Sequence, residues 1–282
     1  MGYELNLDKF EKLIPEDILY DDLEIDLREC DWISPQGAMG LFLLLRYYIQ
    51  QGKSPIVFCP INRDVHNYLE RTGTYIRTYE NVNYVPSVGD VIKNNWYASD
   101  SMGDITELVN DAQVADIIGK FRNAMSLQIS DKTKVTKMSS SILEIFQNIP
   151  LHANPLDDSS LEGYVNIQSY KNSGKVIICA GDLGIGIRTS LLTNKTMEKN
   201  EMSHLEAINK ATEEKISRFS GTKRKDHGGG LMRAIELVRS VNGYIYVRSG
   251  TAMIVWGPKE MKFEKSELKH FPGTQIIIRI SE

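Results

Sequence analysis

The chain has 282 residues, enough for one large or two modest domains at the usual ~150 residues each. With 41% hydrophobic and 25% charged residues its composition is that of an ordinary globular protein, which excludes wholesale disorder. Lys and Arg number 33 against 37 Asp and Glu, and a net charge of −4 argues against general nucleic-acid binding, which needs a basic surplus to neutralise phosphates.

The most apolar run, residues 37–45, meets Arg46 well short of the ~20 apolar residues that a bilayer span needs, so no membrane association is expected. The start, MGYELNLDKFEKL, has neither the basic opening nor the apolar stretch of a signal peptide. Cys30, Cys59 and Cys179 stand far apart, without a CxxC and without histidines at zinc spacing. They read as buried free thiols in a reducing compartment, and a cytoplasmic location is the expectation.

Residues 1–100 alternate strand and helix. Residues 23–27 alternate apolar and polar, as a half-exposed strand does. Ser34 and Pro35 suit the cap and first turn of a helix over 38–48, closed by Gly52. A strand over 54–59 stops at Pro60, and a short helix over 63–71 ends at Thr72-Gly73. This pattern suggests a small α/β domain, followed by a polar, turn-rich connector over 81–104.

Residues 101–282 form a second domain in this reading. Helical periodicity covers 105–125 and 133–149; strands follow at 164–170 and 176–180, then a long irregular segment, a helix over 231–241, and strands at 244–248, 252–256 and 274–280. Several antiparallel strands with segregated helices suggest an α/β sandwich rather than a doubly wound sheet.

Four segments of this half make chemical sense together. Glu144 and Asn148 stand at i and i+4, on one helix face; they are either a solvated polar pair, or a proton acceptor beside an amide oxygen for a hard cation. Gly181-Asp182-Leu183-Gly184-Ile185-Gly186 follows an apolar strand. It is either a glycine-rich β-turn, or a loop whose glycines let a backbone approach a ligand and whose carboxylate can accept from an amino group such as that of adenine. The order is not GxGxxG, so it is not the dinucleotide fingerprint. His227-Gly228-Gly229-Gly230-Leu231 opens a helix and offers backbone N–H groups to an anion, without being a P-loop. Lys223 and its basic neighbours either add positive charge near phosphates or form a solvated loop cluster. Gly273-Thr274 opens the last strand, where a hydroxyl could support the Asp182 contact.

In this order the four segments resemble the GHKL ATPase superfamily over about residues 130–282, and Gly228 to Gly243 is similar to the corresponding histidine-kinase segment. The resemblance implies ATP and Mg²⁺. Asp182 would accept from the adenine amine, with Gly184 and Gly186 shaping the pocket and Thr274 supporting it. Gly228, Gly229, Gly230, Leu231 and Lys223 would serve the phosphates, Asn148 would hold Mg²⁺, and residues 187–227 would form a lid. Glu144 would be the general base, and Glu144-x-x-x-Asn148-x-x-x-His152 looks closest to anti-sigma-factor serine kinases. Pro150 departs from the pattern and should kink or end the helix. Residues 1–85 resemble a STAS domain, with Gln36 where the family's phosphorylated serine usually stands and Ser34 two residues away.

The fold class expected is therefore a STAS-like α/β domain before a GHKL-type α/β sandwich, with a mixed, largely antiparallel sheet and helices on one face. The function implied is Mg²⁺-dependent ATP hydrolysis, or phosphoryl transfer to a protein Ser or Thr in bacterial signalling. The alternative is a nucleotide-gated interaction module without chemistry. A protein partner or substrate is implied, and a homodimer is compatible with the reading.

Overall fold

The computed structural model describes residues 2–89, 103–108, 111–127, 129, 131–153, 163–193, 202–213 and 230–281, with the backbone alone at 111, 148–153, 171 and 213. The chain divides into two compact units, Met1–Ile105 and Thr106–Glu282.

The first unit runs β1 (Tyr3–Leu5), α1 (Leu7–Leu13), β2 (Glu24–Asp26), β3 (Cys30–Ile33), α2 (Pro35–Gln50), β4 (Ile56–Phe58), α3 (Arg63–Arg71), α4 (Thr74–Thr78) and β5 (Asn83–Val85). All its pairings are parallel among the described residues, β1 with β3 and a sheet in the order β2–β4–β5. Parallel neighbours need crossovers; the connection from β1 to β3 contains α1, that from β2 to β4 contains α2, and that from β4 to β5 contains α3 and α4. Helix α2 is apolar nearly all round and is buried accordingly. Its start is fixed by Ser34, whose hydroxyl accepts from the Gly37 N–H and donates to the Leu5 carbonyl, both at 3.2 Å. Strand β5 lies within the stretch expected as a connector.

The second unit runs β6 (Thr106–Leu108), α5 (Asp111–Ser126), α6 (Lys132–Ala153), β7 (Gly163–Tyr170), a 3₁₀ turn, β8 (Lys175–Asp182), α7 (Gly186–Leu192), α8 (His204–Glu213), α9 (Gly230–Ser240), β9 (Tyr244–Gly250), β10 (Ala252–Trp256), β11 (Lys262–Lys265) and β12 (Phe271–Ser281). Among the described residues seven strands form one sheet in the order β11–β10–β9–β12–β8–β7–β6, and every pairing in it is antiparallel. The unit is thus mixed α/β around a large antiparallel sheet. Val165, Ile167, Val176, Ile178, Ala180, Ile245, Val247, Ile254 and Ile278 share a core with Phe121, Met138, Phe146, Ile208, Ala234 and Val238 from the helices. The alternate positions Ile177, Cys179, Val255 and Ile277 are buried as well. That explains why β8 and β12 read as continuous apolar runs instead of alternating.

Three local expectations change. Residues 106–108 are a strand, and the helix expected from 105 begins at Asp111. Within the segment expected to be irregular, α7 and α8 form, and Ala207 and Ile208 of α8 are fully buried. Helix α6 continues past Pro150 to Ala153. Pro150 therefore does not end the helix. Among the described residues no helix is long and apolar enough to cross a membrane.

Candidate functional site

Strand register brings the expected residues into one row. Asp182 ends β8 opposite Gly163 of β7. Gln275 of β12 stands opposite Gly181, so Thr274 is the next position along, beside Asp182; Thr274 in turn pairs with Ser249 of β9. By the two-residue period of a strand, Asp182, Thr274 and Ser249 lie on the helix-covered face with Ala180 and Val247.

Asp182 is only 4% exposed. Its Oδ1 accepts the Gly184 N–H at 2.8 Å, and the Thr274 N–H also bonds to the carboxylate. Burial pushes the carboxyl from its ordinary 3.8 up to about 7, against the opposing pull of those two N–H groups. A carboxylate so placed holds its charge weakly until a further donor arrives.

Ser249 clamps the surrounding turns. Its hydroxyl accepts the Ile187 N–H at 3.0 Å and donates to the Gly273 carbonyl at 2.9 Å. Gly186 and Gly273 both have positive φ, +71° and +74°. A Cβ on Gly186 would lie 2.9 Å from the Ser249 hydroxyl; one on Gly273 would lie 2.0 Å from the Asp182 carbonyl oxygen. Gly273→Ala is therefore expected to cost several kcal/mol, by φ strain and backbone collision together. Gly52→Ala, at φ +70° with nothing within 4 Å, should cost only about 1 kcal/mol. Denaturant titration of both variants checks this; equal losses would mean that the close approach of Gly273 to Asp182 is unimportant.

The helices bring the remaining residues to the same end. Only residues 241–243 separate α9 from β9, and α9 packs back on β9, so Gly230 lies toward the Ser249 end. At the opposite end, a cavity of about 160 Å³ is lined by Lys134 of early α6, Val176, Ser240 and Ile280. The later turns of α6, with Glu144, therefore run toward the Asp182 end. There Glu144 forms an ion pair with Arg233 in the first turn of α9. Gly230 is buried at the start of α9, and Leu231 packs partly against the core. The helix presents N–H groups and the positive end of its dipole at this point.

Asp182, Gly184, Gly186 and Thr274 are thus gathered directly, and Glu144, Gly230 and Leu231 come to the same end of the unit. Lys223, Gly228 and Gly229 lie outside the described residues, as does the Asn148 side chain, although its backbone is helical one turn after Glu144. Ser249 and Arg233 escape the sequence reading because their partners are distant in sequence, 62 residues to Ile187 and 89 to Glu144.

Elsewhere, Ser34 is 5% exposed and committed to capping α2, so its hydroxyl is not presented to a kinase. His66 packs against Tyr75, with Nδ1 3.2 Å from the Tyr75 hydroxyl. All three cysteines are free and buried, and burial pushes the Cys179 thiol up, which leaves it unreactive. No protein-family model matches the chain, and none of the curated proteins matches it.

Proposed function

We propose that the Thr106–Glu282 unit is a GHKL-type ATP-binding domain that hydrolyses ATP or passes its γ-phosphoryl group to a Ser or Thr of a partner protein. The reading rests above all on the buried Asp182 carboxylate, set in a glycine-lined row with Thr274 and Ser249 at one end of the sheet. A buried carboxylate that already accepts two backbone N–H groups suits the exocyclic amine of adenine. The start of α9 suits the phosphates.

In this mechanism a water or hydroxyl oxygen attacks the γ-phosphorus and gives its proton to Glu144. The bond from that phosphorus to the bridging oxygen breaks, its electron pair leaving with ADP. Asn148, one helical turn after Glu144, would hold Mg²⁺ through its amide oxygen. Bound Mg²⁺ would neutralise charge on the β- and γ-phosphates. The Met1–Ile105 unit is read as STAS-like. With Gln36 in the acceptor position and Ser34 buried as a cap, its part is to bind or position a partner rather than to receive phosphate.

The test follows γ-labelled ATP with Mg²⁺ and counts free phosphate and protein-bound label in one tube. Label is expected to leave ATP. Binding without any loss of label from ATP would replace catalysis by the gated-module reading, and absence of binding would overturn the assignment.

A further inference from the structure

We propose that Arg233 reads the terminal phosphate of the nucleotide, and that Glu144 stands in for that phosphate while the site is empty. The inference rests on the ATP-binding reading above and goes beyond it, assigning a residue that selects triphosphate over diphosphate and uncovers the base.

A cation in the first turn of a helix opposes the helix dipole, so Arg233 does not serve the stability of α9 by itself. It stands three residues after Gly230, about 4.5 Å along the axis, and helical side chains lean toward the N-terminus. Its guanidinium therefore lies close to where phosphate would meet the α9 N–H groups. Among its partners is Glu144, the carboxylate that the mechanism needs as a proton acceptor. While that pair holds, one Glu144 oxygen is occupied.

Magnitudes favour an exchange. The Arg233 and Glu144 side chains are 39% and 35% exposed, and ion pairs so open to water are worth only ~0–1 kcal/mol. A terminal phosphate carries more charge than a carboxylate and matches the planar fork of a guanidinium with two parallel hydrogen bonds. A γ-phosphate would take Arg233 and leave Glu144 free beside the phosphorus to be attacked. A diphosphate, one group shorter, would leave the pair closed. The base is thus uncovered only when there is something to cleave.

The experiment titrates ATP and ADP, each with Mg²⁺, into the full chain and into Arg233→Met, Arg233→Lys and Glu144→Gln. ATP is expected to bind the unaltered chain more tightly than ADP. Arg233→Met should weaken ATP by about 10- to 100-fold and ADP by less than about 3-fold, so that the preference collapses. Arg233→Lys should restore part of it, and Glu144→Gln should tighten ATP alone. Equal losses for both nucleotides in Arg233→Met and Arg233→Lys, or an unchanged preference, would make the pair a structural tie between α6 and α9 and overturn the proposal. Failure of the unaltered chain to bind either nucleotide would instead overturn the ATP-binding reading, and this inference with it.

Discussion

Asp182→Asn is expected to leave a more stable protein that can no longer hold adenine well. The folded carboxyl titrates at about 7 because burial removes its hydration, whereas in the unfolded chain it returns to about 4. Between those values the folded state holds a proton that the unfolded state does not, so stability falls as pH rises through this window. About three pH units at 1.36 kcal/mol each give a loss of about 4 kcal/mol by pH 8. Neutral Asn escapes it. Without nucleotide, the melting temperature of the unaltered protein should rise by about 5–10 °C on going from pH 8 to pH 5, since about two of the three pH units lie in that range, while Asp182→Asn stays nearly flat. In nucleotide titrations at pH 8 the same variant should bind ATP about 100-fold more weakly, since it exchanges a charged acceptor for a neutral amide. Equal pH slopes for the two proteins would contradict the account of the buried carboxylate.

Glu144→Gln is expected to abolish turnover while still binding ATP, more tightly than the parent does. Glutamine keeps the shape and the helix but cannot take a proton at neutral pH. Loss of a general base costs about 10² to 10⁴ in rate. Losing the half-exposed pair with Arg233 costs at most about 1 kcal/mol of stability, so the variant should fold and melt nearly as the parent does. The measurement is phosphate release at saturating ATP beside a binding isotherm on the same preparation. Turnover equal to the parent's would remove Glu144 from the mechanism.

What the sequence declares depends on how local the cause is. The apolar run before Gly181 reads as a strand because both faces of β8 are buried. The start of α9 reads from its glycines, and α3 from Arg63 to Arg71 is legible residue for residue. Strands β1, β5 and β6, three residues each, do not register as strands in the sequence. Strand β11, KFEK, is exposed throughout and has a single apolar residue, Phe263, too little for an apolar pattern. Asp182, Gly184, Gly186 and Thr274 could be picked out as motif residues. Ser249 and Arg233 could not, because only strand register and helix packing bring each to its partner. Pro150 marks the reverse case, a strong local signal that does not end the helix.

The most direct test of the central claim is calorimetric titration of the unaltered protein with ATP and with GTP, each with Mg²⁺, at pH 8. The Asp182 carboxylate accepts a hydrogen bond and has none to give. ATP, with an amine at the purine 6-position, should bind, and GTP, with a carbonyl oxygen there, should bind at least about 100-fold more weakly. Equal binding of the two, or no binding of ATP, would contradict the account.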